Sequence, residues 1–383
     1  MIPRRAEAYL TSVYDHFPIL FLTGPRQSGK TTLAKVLYKN LPYVLLELPD
    51  QQQLAQEDPR SFLKQFHKGA ILDEVQNVPV LFSYLQGLVD DNRELRFILT
   101  GSQNFLLNEK ITQSLAGRAG IVTLLPLSLQ ELTDQISKSN YEDWIVRGFY
   151  PELYNRNIPF GLFYPAYVQT YLERDVRSLK NVGSLTQFNV FLKLCAGRVG
   201  QLLNVSALAT DAGISVNTCK AWLSVLEASY IIYRLQPYYK NFNKRLIKSP
   251  KLYFTDTGLV CHLLGIEQAS QLSTHYARGS LFENFVIMDC YKQRLARGKH
   301  EGMYFWRDHK GLEVDLIIED GQTLKAYEIK AGRTANASFF TNLMAWEKLS
   351  GSAIESTVIY GGDISQQVQN VSLKGWREMV NGF

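Results

Sequence analysis

"PILFLTGPRQSGKTTLAKVLY", residues 18–38, places an apolar run, a glycine-bounded loop and a helical spacing one after another. Residues 19–22 are Ile, Leu, Phe and Leu without interruption, as in a strand buried on both faces of a parallel sheet. Residues 24–31 match G-x-x-x-x-G-K-[ST], and Leu33, Val36 and Leu37 then recur at helical spacing. Gly24 and Gly29 permit the backbone angles that turn successive N–H groups toward a phosphate, and the helix N-terminus adds a favourable dipole. The stretch Gly24, Pro25, Arg26, Gln27, Ser28, Gly29, Lys30, Thr31 and Thr32 is therefore expected to cradle the phosphates of a nucleotide. Lys30 would reach the terminal phosphates and Thr31 would ligate Mg2+. The fold class that follows is α/β, a parallel sheet flanked by helices.

A phosphate loop that hydrolyses needs an acidic partner, and "GAILDEVQ", residues 69–76, ends an apolar strand in Asp73 and Glu74. Asp73 is expected to hold the metal and Glu74 to polarise the attacking water. "LRFILTGSQNF" reads as a further buried strand that delivers Ser102 at its carboxyl end, where parallel sheets place ligands, as a sensor of the terminal phosphate. Arg118, between small residues in "SLAGRAG", is a candidate to approach a phosphate in cis or from a neighbouring subunit. The guanine-reading pattern [NT]KxD is absent, since "NEKI" and "NKRL" both depart from it, so the expected nucleotide is ATP.

With 383 residues the chain is longer than one core usually organises, and its 46% hydrophobic and 20% charged content is that of a folded protein. Cys195, Cys219, Cys261 and Cys290 stand far apart and outside any CxxC pattern, which argues against a zinc site and a disulfide framework and for buried thiols in a reducing compartment. No run approaches ~18 apolar residues. A cytoplasmic protein with no membrane partner is expected.

The net charge of +5 conceals an uneven distribution. Residues 184–254 hold nine basic side chains against Asp211 and Glu227, a net +7. Within them, "NVSALATDAGISVNTCKAWLSVLEASYIIYRLQPYY" predicts helix, turn at Gly213, helix and strand, with Ser215 as a cap and Val216, Cys219, Leu223 and Leu226 facing inward. Asn217, Lys220, Ala221 and Ser224 are left outward, the side a winged helix-turn-helix offers to a DNA major groove. Lys240, Lys244, Arg245 and Lys248 in "YYKNFNKRLIKSPK" would grip the backbone of the nucleic acid, expected to be double-stranded DNA.

Taken in order, "GPRQSGKTT", "LDEVQ", "ILTGSQ", "LAGR", "GFYPEL", "YLERDV" and "KLYFTDTGL" resemble the prokaryotic AAA-type ATPases that carry a C-terminal domain of unknown function with a restriction-endonuclease-like core. The resemblance implies ATP and Mg2+ at Lys30, Thr31, Asp73 and Glu74, and motif arginines at Arg118 and Arg174. Relatives of this type often form rings, which makes a homo-oligomer an open expectation.

Near the C-terminus, "EVDLIIEDGQTLKAYEIKAG", residues 313–332, reads as two strands joined at Asp320 and Gly321. Glu328 and Lys330 share a face while Tyr327 and Ile329 point the other way, and Asp315 lies on the preceding strand. Upstream, "RGSLFENFVIMDCYKQRL" is a helix apolar nearly all round, so Glu283 needs a partner or a metal. Helix Glu, strand Asp and Glu-x-Lys in the next strand is an order similar to the PD-(D/E)XK nuclease core. That resemblance implies Mg2+ on Asp315 and Glu328 with Glu283 as a third ligand or orienting carboxylate, Lys330 steadying developing charge, and phosphodiester hydrolysis.

Four parts are expected: a P-loop ATPase domain over 1–155, a helical connector over 156–183, a winged helix-turn-helix over 184–254 and a small α/β nuclease-like domain over 255–383. Together they predict an ATP-gated, DNA-binding hydrolase. The alternatives are a DNA-binding ATPase switch whose last domain binds without cutting, and a signalling ATPase whose winged helix docks protein.

Overall fold

A computed structural model describes residues 2–101, 115–136, 139–172, 185–239, 247–321, 323–350 and 354–383. Two compact units divide the chain. The first comprises Met1–Leu127, Ala228–Tyr230 and Arg294–Gly298. The second comprises Ser128–Glu227, Ile231–Gln293 and Lys299–Phe383.

The first unit is built on five strands, β1 (Ile19–Thr23), β2 (Tyr43–Leu45), β3 (Ile71–Asp73), β4 (Phe97–Gly101) and β5 (Ala119–Thr123), in the order β2-β3-β4-β1-β5. All four pairings are parallel. Strand β1 shows why its sequence is apolar throughout. Ile19 and Phe21 enter one core with Leu72, Phe97 and Leu99, while Leu20 and Leu22 enter the opposite one with Leu33, Ile71, Ile98 and Val122. Both faces of the sheet are thus covered, as parallel sheets require. The expected strand, loop and helix Lys30–Leu37 follow each other as the sequence predicts.

The second unit carries an eight-stranded mixed sheet. Its strands are β6 (Ile232–Pro237), β7 (Lys251–Phe254), β8 (Met303–Arg307), β9 (Glu313–Asp320), β10 (Thr323–Lys330), β11 (Ile354–Tyr360), β12 (Gln366–Val368) and β13 (Val371–Gly375). They stand in the order β12-β13-β11-β10-β9-β8-β6-β7. Strands β9 and β10 form the expected antiparallel hairpin, turning at Gly321 with φ 63°, and β10 continues in parallel with β11. Trp306, Val314, Ile317, Ala326, Leu343, Trp346 and Val358 form the core beneath them.

Two divisions differ from the four-part reading. Residues 128–155, assigned above to the ATPase domain, lie in the second unit. Strands β6 and β7 are no separate wing either, because β6 pairs with β8 through Gln236 and Tyr304 and through Pro237 and Phe305. Open strand edges seek hydrogen bonds, and the pair β6 and β7 finds them at the edge of the other six strands.

The helix-turn-helix stretch forms as helices Val205–Asp211 and Val216–Ala228 about Gly213, whose φ is 65°. Ser215 Oγ accepts from the Thr218 N–H at 3.0 Å, the expected cap. Cys219, Trp222, Leu223 and Leu226 are buried, whereas Val216, expected inward, is exposed. It sits in the first turn, and the inner face is carried further along the helix by Trp222, edge-on to Phe188 and Phe191.

Strand β7 is anchored by its own continuation. Asp256 accepts from the Phe149 N–H at 2.6 Å, the Tyr164 hydroxyl at 2.6 Å and the Leu259 N–H at 3.0 Å. A Cβ at Gly148 would stand 1.8 Å, and one at Gly258 2.2 Å, from that hydroxyl. The glycines of "RGFYPEL" and "FTDTGL" therefore make room for one buried tyrosine.

Candidate functional site

Two clusters of acids carry the chemistry. In the first unit, Gly24 has φ 144° and Gly29 φ 93°, and a Cβ on Gly24 would lie 2.1 Å from the Leu124 carbonyl oxygen. Gln27 also takes a positive φ of 61°. Arg4, which the sequence reading passed over, donates to the Ser28 and Leu125 carbonyls at 2.7 Å each and ties the loop to the chain beyond β5. Lys30 is buried and donates to the Gly24 and Pro25 carbonyls at 2.9 and 2.8 Å.

Thr31 and Asp73, 42 positions apart, meet as expected: the Thr31 hydroxyl donates to the Asp73 carboxylate at 3.0 and 3.1 Å. Tyr43 donates to the same carboxylate at 2.7 Å, and Thr100 makes a further short contact. Glu74 holds a left-handed backbone, φ 56°, which turns its side chain out of the strand, where Gln76 Nε2 hydrogen-bonds it. Neither Tyr43 nor Gln76 was singled out beforehand, although Gln76 closes the "LDEVQ" motif. The residues fit a magnesium nucleotide: the Ser28 hydroxyl is fully buried without a hydrogen-bond partner, and Thr31 and Asp73 present their oxygens side by side.

Arg118 is placed elsewhere, in a two-point pair with Asp90 at 2.7 and 2.8 Å. That pair holds the Asp90 carboxyl below its usual range and the guanidinium above its own. Ser102 and Arg174 fall outside the described residues.

In the second unit, Lys251, Glu283, Arg307, Glu313, Asp315, Glu328, Lys330 and Asn342 line one cleft of about 510 Å³. All four residues expected to converge, Glu283, Asp315, Glu328 and Lys330, are among them. Alternation on β10 works as read: Lys330 Nζ donates to Glu328 Oε1 at 2.5 Å while Tyr327 and Ile329 are buried on the other side. Asn342 Nδ2 also donates to Glu328 Oε1, at 3.2 Å, and the Ile329 N–H donates to Asp315 Oδ2 at 2.8 Å. Burial above all, with the Asp315 charge adding, pushes Glu328 up to about 8 against the opposing pull of Lys330 and Asn342.

Glu283 is satisfied differently from the expectation. Its Oε1 accepts from Lys251 Nζ at 2.8 Å and from the Tyr253 hydroxyl at 2.5 Å. Lys251 also pairs with Glu313, and Arg307 holds the other Glu313 oxygen at 2.9 Å. Burial works against the Lys251 charge, yet Glu283, Asp315 and Glu313 keep its pKa well above the usual value. Asn284, next to Glu283, fastens the helix to β7 by accepting from the Phe254 N–H at 2.7 Å and donating to the Phe254 carbonyl at 2.9 Å.

Lys251 was counted above among the basic residues of a wing, and it is instead buried among acids. The available signal was alternation: Lys251 and Tyr253 share a face of β7, as do Glu313 and Asp315 on β9. Among the described residues no three His, Cys, Asp or Glu side chains stand as a metal-holding group. Two carboxylates do fit a hard divalent cation: Glu328 Oε2 is buried without a hydrogen-bond partner, and Asp315 Oδ1 is 3.9 Å from Lys251 Nζ, beyond hydrogen-bond reach.

On the helix Val216–Ala228, Asn217 and Lys220 are exposed, as is Lys248 ahead of β7. Lys240, Lys244 and Arg245 fall outside the described residues. Arg198 and Arg234 pair with Asp211 and Glu227, which leaves less free positive charge on this surface than the sequence count suggests. Among the described residues no helix is long and apolar enough to cross a membrane.

Family models match three stretches: an AAA domain over residues 16–133, a domain of unknown function (DUF8612) over 138–270 and a second one (DUF4143) over 278–377. Protein Rv2008c of Mycobacterium tuberculosis is 32% identical over 345 residues, 88% of this chain and 76% of that one. Protein Mb2031c of Mycobacterium bovis matches to the same extent. Among solved structures, the Walker-type ATPase PABY2304 of Pyrococcus abyssi is similar at 15% identity and a TM-score of 0.48, covering 69% of this chain and 96% of that one.

Proposed function

We propose, since this chain belongs to the family of the mycobacterial proteins Rv2008c and Mb2031c and carries an AAA-type ATPase domain, that it couples ATP hydrolysis to the binding and cutting of DNA. In the first unit Lys30 serves the terminal phosphates, Thr31 and Asp73 hold Mg2+, and Glu74 takes a proton from the attacking water. In the second, the outward face with Asn217 and Lys220, together with Lys248, meets the backbone of double-stranded DNA. Asp315 and Glu328 hold Mg2+ in the cleft, where the ion would polarise a phosphodiester and acidify water. Lys330, already bonded to Glu328, steadies the negative charge that builds on phosphorus oxygens as water adds and the P–O bond breaks.

One observation carries this reading. Asp315, Glu328 and Lys330, from two neighbouring strands, line a single cleft, and that shared lining supports a metal-dependent phosphodiesterase. A second reading, a switch that clamps DNA without cutting it, is favoured by the ammonium of Lys251 buried among the same acids.

A plasmid-cleavage assay in Mg2+ run beside an ATP-turnover assay separates them. Wild type should cut, Asp315→Ala should turn over ATP without cutting, and Lys30→Ala should lose about a hundredfold or more of its ATP turnover. Absence of cleavage by wild type at every salt and nucleotide condition selects the clamp.

A further inference from the structure

The cleft contains four carboxylates, Glu283, Glu313, Asp315 and Glu328, against three cations, Lys251, Arg307 and Lys330. The charges are not spread evenly. Glu283 and Glu313 converge on Lys251 Nζ, whose side chain is only 4% exposed, and Tyr253 and Arg307 complete their hydrogen bonds. At the other side, Glu328 is 2% exposed and keeps one oxygen, Oε2, without a hydrogen-bond partner. Asp315 lies between the two groups, with Oδ2 on the Ile329 N–H and Oδ1 3.9 Å from Lys251 Nζ.

We propose that Lys251 is a built-in counter-cation that occupies the Glu283 side of the cleft, so that the cleft takes a single divalent ion, at Asp315 and Glu328, and Glu283 is no ligand to it. An ammonium and a divalent ion compete for the same carboxylate oxygens, and two such cations within contact distance of Glu283 would repel each other strongly in a buried site. Lys251 thereby sets how many hard cations the cleft admits. The proposal rests on the reading above that Asp315 and Glu328 bind a metal, and it assigns Glu283 the task of holding Lys251.

Nucleotide-free full-length chain, titrated with Mn2+ alone and followed by the electron paramagnetic resonance of the free ion, tests this in four forms. Wild type should bind about one Mn2+ in the cleft, Glu328→Gln should weaken it about tenfold or more, and Glu283→Gln should leave it unchanged. Lys251→Gln should admit about one additional Mn2+. Loss of affinity in Glu283→Gln equal to that in Glu328→Gln overturns the proposal and leaves the metal reading standing. So does a Lys251→Gln chain that binds no more Mn2+ than wild type. Binding by Lys251→Gln but not by wild type supports the counter-cation and defeats the metal reading. Binding by neither defeats both. Should Lys251→Gln fail to fold, the Glu283→Gln and Glu328→Gln pair decides alone.

Discussion

The two units neutralise their buried acids by different means. Asp73 in the first is held by the hydroxyls of Thr31, Tyr43 and Thr100, all neutral donors, and the nearby lysine, Lys30, is bonded to backbone carbonyls. Glu283 and Glu313 in the second are held by the cations Lys251 and Arg307, and Glu328 by Lys330. Hydroxyls leave the charge of a carboxylate in place, ready for a cation that arrives with a ligand. An ammonium cancels it. The first arrangement suits a site that binds and releases a magnesium nucleotide in each cycle, whereas the second suits a cleft whose charge is largely balanced before anything binds.

The difference predicts unequal costs when a partner is removed. Lys251→Gln should lower unfolding free energy by about 3–5 kcal/mol, because it removes the buried cation that Glu283 and Glu313 share. Tyr43→Phe should cost only about 1 kcal/mol, because Asp73 keeps two other hydroxyl donors. Urea unfolding of both variants measures the contrast, and equal costs would erase it.

Asp289 sharpens the comparison from a third position. Its hydrogen bonds come from neutral donors, the Leu129 N–H at 2.6 Å and Gln293 Nε2 at 2.8 Å, and burial lifts it to about 6 over the opposing effect of those donors and the Lys292 charge. A carboxyl whose pKa is raised on folding binds its proton more tightly in the folded chain. Its contribution is therefore favourable at low pH and is lost as pH climbs from the unfolded value, near 4, through about 6. The loss should reach about 3 kcal/mol and stay constant at higher pH. Stability measured against pH for wild type and Asp289→Asn should differ in slope across that window; parallel curves would show that neutral donors suffice even at full burial.

The smallest effect concerns Arg118. Bound to Asp90 and partly exposed, it should be replaceable by alanine without change in ATP turnover by the isolated chain. Turnover that depends on Arg118 only as protein concentration rises would instead assign it to a neighbouring subunit.

Legibility followed the distance along the chain. The phosphate loop was readable because its parts are neighbours: strand, glycines, Lys30 and helix occupy 20 or so consecutive positions, and short-range geometry determines their use. Asp73 and Glu74 were readable from a strand ending in acids, and the hairpin of β9 and β10 from period-two alternation about Asp320 and Gly321. Glu283 was found as an acid in an apolar helix, which correctly demanded a partner, but the partner proved to be Lys251. Charge counting had included that lysine in the basic stretch 184–254 because a count registers sign and not burial. Tyr43 and Gln76 escaped notice since a tyrosine in a strand and a glutamine after an acid are common in any chain.

By itself, then, the sequence determined a two-faced parallel sheet with a phosphate loop, and a second α/β sheet with acids and a lysine on one strand face. Periodicity and turn chemistry act over a few residues, so they survive without coordinates. Which cation meets which acid was decided only when β7, the helix Arg278–Leu295, β9 and β10 came together. Electrostatic energy depends on distances of a few ångströms and on the loss of water, and neither exists until distant segments are packed against each other.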